Sequence, residues 1–173
     1  MMKQVFYSGL MLSLFFSYSN ASDSLYEYQN SSDVYREVAK ETGTVFAIGN
    51  PNSSYEKYFT GPSYLAALSD DKNVPLFNVT FAPGVVNNWH IHHNSCQVLI
   101  GVSGHGYYQI WGEEPKKITP GMSVTIPAGV KHWHGAAKGH WFQHLAYMKN
   151  DKNVSTEWFE KVDKDILDSL KSE

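Results

Sequence analysis

The chain has 173 residues, eight of them histidine, a formal net charge of -3 and a single cysteine, Cys96. So mild an acidic balance argues against a nucleic-acid partner, and one cysteine rules out an intramolecular disulfide. Stability has to come from packing, for which the 14% aromatic content is well suited.

The first residues, MMKQVFYSGLMLSLFFSYSNAS, carry one Lys, an apolar stretch from Val5 to Phe16 and a small-residue ending at Ser19-Asn20-Ala21. This is the pattern of a secretory signal peptide cleaved after Ala21, because the apolar run is too short to span a bilayer. An exported, periplasmic or secreted protein is expected, with no membrane anchor after cleavage. Removal of residues 1–21 takes away one cation, Lys3, and leaves 152 residues, enough for one domain with a proper core.

Residues 22–55 are polar and contain one helical pattern from about Asp33 to Lys40, which predicts an arm over the domain surface. From residue 56 to 150 the sequence turns to short runs of Val, Ile, Tyr, Phe and Trp, broken by Gly, Pro and Asn. That is the text of an all-β sandwich or barrel. The predicted strands are Leu76 to Phe81, Trp89 to His92, Gln97 to Val102, Tyr107 to Trp111, Ser123 to Ile126, His132 to Ala136 and Phe142 to Met148. The segment GEEPKK predicts a hairpin turn, and Cys96 a small buried strand residue. In residues 151–173, Trp158, Val162, Ile166 and Leu170 fall four apart, which predicts a C-terminal helix packed on the barrel.

The histidines then fall into a pattern. Side chains alternate along a strand, so His90 and His92 share one face while Ile91 and His93 take the other. Two imidazoles about 7 Å apart on one face can converge on a single ion. In VKHWHG the same holds for His132 and His134, with Trp133 opposite. Two H-x-H pairs on two strands of one small barrel point to a metal site.

The motifs are more specific than the pairs. Gly84 to Gly104 reads G-x5-H-x-H-x4-Q-x6-G, and Gly121 to His132 reads G-x5-P-x-G-x2-H. These resemble the two motifs of the cupin superfamily, small antiparallel jelly-roll β-barrels that hold one divalent metal in the barrel mouth. The resemblance implies His90, His92, Gln97 and His132 as ligands of one divalent transition metal, with manganese foremost and iron, nickel, cobalt or zinc also suited. Two positions depart from the common motif: Gln97 stands where Glu is usual, and Ala136 where Asn is usual. A neutral Gln leaves the ion at its full dipositive charge, a stronger Lewis acid and harder to oxidise.

From about Tyr58 to Val162 the sequence, with YFTG, KHWHGAA and EWFEKV, is similar to the manganese-dependent (R)-selective hydroxynitrile lyases among the single-domain cupins. The step from His92 to Gln97 is one residue longer than in those lyases. The resemblance implies a lyase or isomerase acting on a small hydroxy or carbonyl compound, aromatic ones included. The alternatives are a metal-dependent dioxygenase on the same ligands, or a non-catalytic cupin that binds a sugar, a uronate or the metal. A homodimer or higher homo-oligomer is implied too. His134, two residues from a ligand on the same face, is the first candidate for acid/base catalysis, and His144 the second. His93, His105 and His140 are expected at the surface, and one of Tyr107 and Tyr108 faces inward.

Overall fold

The structure, a computed structural model, describes residues 33–149 and 152–170. The segment read as a signal peptide lies outside the described residues. Of the expected arm, residues 33–55 are described, and they include helix α1 (Asp33–Thr42), two residues longer than its sequence pattern. Strands follow as β1 (Asn50–Pro51), β2 (Ser63–Ala67), β3 (Leu76–Phe81), β4 (His90–His93), β5 (Gln97–Gly104) and β6 (Gly106–Ile110). After these come β7 (Lys116–Ile118), β8 (Ser123–Ile126), β9 (His132–Ala136), β10 (Phe142–Met148), β11 (Ser155–Trp158) and helix α2 (Lys164–Ser169).

The strands form two antiparallel sheets, one in the order β1-β2-β3-β10-β5-β8 and one in the order β11-β4-β9-β6-β7. This is the expected jelly-roll arrangement, although the two sheets stay separate rather than merging into one closed cylinder. Alternation explains why the segments fold this way: along β5, Gln97, Leu99, Gly101 and Ser103 are buried while Ile100 is exposed. Val79, Phe81, Leu99, Ile126 and Phe142 of the first sheet pack against Ile118 and Ala136 of the second, forming the core between the layers. A second apolar layer, with Val86, Trp89, Tyr107 and Trp133, lies beneath Val162 and Leu170. Tyr107 therefore serves that outer layer, and Tyr108 packs against the inter-sheet core.

Three expectations are corrected. The C-terminal segment is not one helix from its start: Ser155–Trp158 is a strand paired with β4, and the helix is confined to Lys164–Ser169. Lys116 and Lys117 belong to β7 rather than to the hairpin turn, because they pair with Tyr108 and Tyr107. Cys96 is half-buried in the turn before β5, not on the strand itself.

One irregularity positions a functional side chain. Between β5 and β10 the register shifts, so that Gln143 opposes Ser103 while His144 opposes Gly101, skipping Val102. Such a bulge re-aims the residues beside it. Gly101 is required there, since a Cβ would meet the Thr119 carbonyl oxygen at 2.3 Å.

Candidate metal centre

Strands β4 and β9 are neighbours, and His90 lies directly opposite His132. The alternation that buries His90 and His92 on β4 leaves His93 on the far face, bonded to Glu157 at 2.8 Å. The ring centroids of His90 and His132 are 4.1 Å apart, those of His90 and His92 4.9 Å, and those of His92 and His132 5.4 Å. Gln97 enters from β5 in the facing sheet, its Oε1 3.0 Å from His132 Nε2. The five-residue step from His92 to Gln97 is made through a turn in which Asn94 takes φ 59°. All four residues expected as ligands therefore converge.

The outer nitrogens show which atoms face inward. His90 Nδ1 lies 3.0 Å from the Asn88 carbonyl and His132 Nδ1 2.9 Å from the Val130 carbonyl. A carbonyl only accepts, so both rings carry their hydrogen on Nδ1 and present a lone pair at Nε2. His92 Nδ1 is held by Thr156 Oγ1 at 2.9 Å, and its buried Nε2 has no hydrogen-bond partner among the described residues. Burial pushes His92 and His132 down to about 4, and His90 well below the usual histidine value, so the set stays uncharged. At the His132–Gln97 contact two acceptor atoms meet with nothing donating between them. Buried lone pairs from three imidazoles and one amide oxygen, each imidazole oriented by a bond at its outer nitrogen, fit a divalent cation.

His134 comes nearer than its role as an acid/base residue required. One ring nitrogen each from His90, His132 and His134 lie within 4.8 Å of one another. Its Nδ1, however, is already engaged, 3.1 Å from His144 Nε2, while Asn87 Nδ2 lies 3.1 Å from Nε2 and 3.4 Å from Nδ1. The Asn87 amide cannot turn over, because its Oδ1 accepts from the His134 backbone N–H at 2.9 Å. A single hydrogen lies between His134 Nδ1 and His144 Nε2, donated by one ring to the other according to tautomer. Burial, followed by the neighbouring His144, holds His134 well below the ordinary histidine value, and burial lowers His144 to about 4.

The site opens into a cavity of about 180 Å³. Asn52, Asn87, His90, His92, Gln97, His134 and Thr156 supply its polar lining, and Phe59, Leu65, Pro75, Phe77, Val79, Ala146 and Met148 its apolar wall. Tyr55 and Trp158 line it as well, Trp158 lying 4.7 Å from His90 and stacked on Tyr58 at 4.4 Å. Among the described residues that line it there is no Lys, Arg, Asp or Glu. His144 is fully buried behind His134 and does not reach the lining. His105 is exposed, as expected, whereas His140 is half-buried; their rings lie 5.0 Å apart and neither lines this cavity.

Sequence reasoning missed Asn87, Thr156 and Trp158. Each acts through pairing between distant segments; Asn87 and Trp158 stand inside the quoted motifs, but at positions to which the motifs assign no role.

Residues 77–140 match the family described as Cupin domain. The chain is 39% identical over 108 residues to the (R)-mandelonitrile lyase of Granulicella tundricola, a span of 61% of this chain and 82% of that one. This protein is a cupin. Its structure superposes on that of a cupin-like protein from Thermotoga maritima with a TM-score of 0.67 and 30% identity, covering 73% of this cupin and 96% of the other. The fold is also that of a predicted oxalate decarboxylase from Thermotoga maritima, with a TM-score of 0.52 at 17% identity over 58% of this chain and 91% of that one. The family match ends at residue 140, so β10, β11 and α2 lie beyond it.

Proposed function

We propose that this cupin is a metal-dependent lyase that cleaves a small, uncharged hydroxy compound, with 2-hydroxynitriles as the leading substrate class. The reading rests on one observation: four uncharged donor atoms converge beside a His134–His144 pair, in a cavity with no charged side chain among its described lining residues. The ligands in this reading are His90, His92, Gln97 and His132, and manganese is the favoured ion. When bound, the ion supplies Lewis acidity, stabilising negative charge that develops on a substrate oxygen. Kinship with the mandelonitrile lyase supports the substrate class.

The chain's own residues supply the rest. His134 lines the cavity and is held neutral by burial, so it is a base awaiting a proton. In cyanohydrin cleavage its Nε2, with Nδ1 paired to His144, takes the hydroxyl proton as the carbonyl forms; the bond to the nitrile carbon breaks with its electron pair leaving as cyanide, which takes that proton from His134 and departs as hydrogen cyanide. Asn87 holds the ring in position, and His144 pairs with its Nδ1 without touching substrate. The apolar wall takes the substituent and excludes water. A carboxylate at position 97 would suit oxygen activation better, and Gln97 weighs against the dioxygenase reading. We further propose that the protein acts outside the cytoplasm, which rests on residues 1–21 alone; N-terminal sequencing of protein from fractionated cells tests it, and an intact Met1 on cytoplasmic material rejects it.

The decisive experiment is elemental analysis and electron paramagnetic resonance of wild type and His92→Ala, with cyanohydrin-cleavage and oxygen-uptake assays on the same samples. One ion per chain that is lost in the variant, with cleavage and no oxygen uptake, supports the lyase. Oxygen consumption selects the dioxygenase, and a wild type that binds no metal on reconstitution rejects the centre.

A further inference from the structure

Of the three imidazoles at the centre, His90 and His132 are tied to backbone carbonyls two residues away on their own chain segments. His92 is tied to a side chain instead, the hydroxyl of Thr156 on β11, directly opposite it in the ladder. Strand β4 itself is held unevenly. Its register with β9 is the single pair His90↔His132, whereas with β11 it runs through Ser155↔His93, Thr156↔His92, Glu157↔Ile91 and Trp158↔His90. Around this ladder, the Trp89 N–H donates to the Glu160 carbonyl at 3.1 Å and the Phe159 N–H to the Trp89 carbonyl at 2.8 Å. Asn94 Nδ2 donates to the Asn153 carbonyl at 2.9 Å. The strand bearing two of the donor imidazoles is thus positioned mainly by a segment outside the family-matched residues.

We propose that Thr156 is the positioning residue for His92, and that docking of β11 and binding of the metal stabilise each other. The inference rests on the metal reading above. With the hydroxyl accepting from Nδ1–H, the Nε2 lone pair of His92 is aimed inward, as the carbonyls aim those of His90 and His132. Without it, a buried N–H is left unpaired and the ring is free to turn. Coupling between two events is reciprocal: if a docked β11 tightens metal binding, bound metal tightens β11 by the same factor.

The test measures the Mn²⁺ dissociation constant, by chelator competition, for wild type, Thr156→Val and Thr156→Ser, together with hydrogen exchange over residues 153–160. We expect Thr156→Val to weaken binding by about 10- to 100-fold, and Thr156→Ser, which restores the hydroxyl, to bind within about threefold of wild type. Amides of residues 153–160 exchange more slowly with Mn²⁺ bound than after stripping. Affinity in Thr156→Val within twofold of wild type overturns the positioning role. Equal exchange in loaded and stripped wild type overturns the coupling, and that measurement decides the matter if Thr156→Val does not fold. A wild type that binds no Mn²⁺ overturns the metal reading and this inference together, an outcome distinct from a metal-binding wild type with an unaffected valine variant.

Discussion

His134 and His144 reach each other from facing sheets, Nδ1 to Nε2 at 3.1 Å, and only His134 lines the cavity. The two side chains therefore have unequal roles. His134→Ala should lower turnover by about 100-fold or more, the usual worth of a positioned proton acceptor. His144→Phe, whose ring replaces the imidazole beside Phe81 and Phe142, should cost about tenfold, since it removes only the partner behind the base. Steady-state kinetics check both, and elemental analysis should find the metal retained in each. Equal losses in the two variants would reject the division of labour.

The faces of β4 give a sharper comparison. His92 points inward with an unpartnered Nε2, while its neighbour His93 points outward to Glu157. His92→Ala should lose the ion on dialysis and His93→Ala should keep it, as read by elemental analysis of the two proteins prepared side by side. A pair of variants that both keep the metal removes His92 from the ligand set.

Gln97 faces His132 across 3.0 Å with a neutral oxygen. Gln97→Glu adds a negative charge, which should tighten metal binding and reduce lyase turnover by about tenfold, because the ion becomes a weaker Lewis acid. Chelator competition and a cleavage assay measure the two effects, which should move in opposite directions.

Five buried imidazoles make the stripped protein acid-sensitive. Burial lowers His90, His92, His132, His134 and His144 below the ordinary value of 6.5, with His92, His132 and His144 at about 4. Above pH 6.5 neither folded nor unfolded chain carries these protons. As the pH falls from 6.5 toward 4, the unfolded chain takes them up and the folded chain does not, so stability falls. Each group contributes at most about 1.4 kcal/mol per pH unit across that window. Urea denaturation of metal-free protein should show the midpoint dropping between pH 7 and pH 5, and an unchanged midpoint would contradict the buried, neutral state of the cluster.

Much of the site was legible because metal ligation imposes local spacing. The H-x-H pair on β4 and the histidines of β9 share faces by simple alternation, and the motif spacing brought Gln97 to them. The strands Leu76–Phe81, Ser123–Ile126, His132–Ala136 and Phe142–Met148 stand where their apolar runs predict. Ser63–Ala67 was missed because SYLAA shows neither strong β-branching nor alternation. Trp158 misled for a geometric reason: residues four apart share a face in a strand as well as in a helix, so its spacing to Val162 did not distinguish them. The bonds from Asn87 to His134 and from Thr156 to His92 span 47 and 64 residues, a separation at which local pattern carries no information.

The uncharged lining of the cavity also bears on how a substrate arrives. With no lysine, arginine or carboxylate among the described residues of the wall, a neutral molecule meets no charged side chain there to steer it inward, and ionic strength has little to screen on its way. For the proposed uncharged substrate, capture would be left to diffusion and to the fit of an apolar group between Tyr55, Trp158 and the aliphatic wall, so the rate of encounter should stay level from dilute buffer to brine.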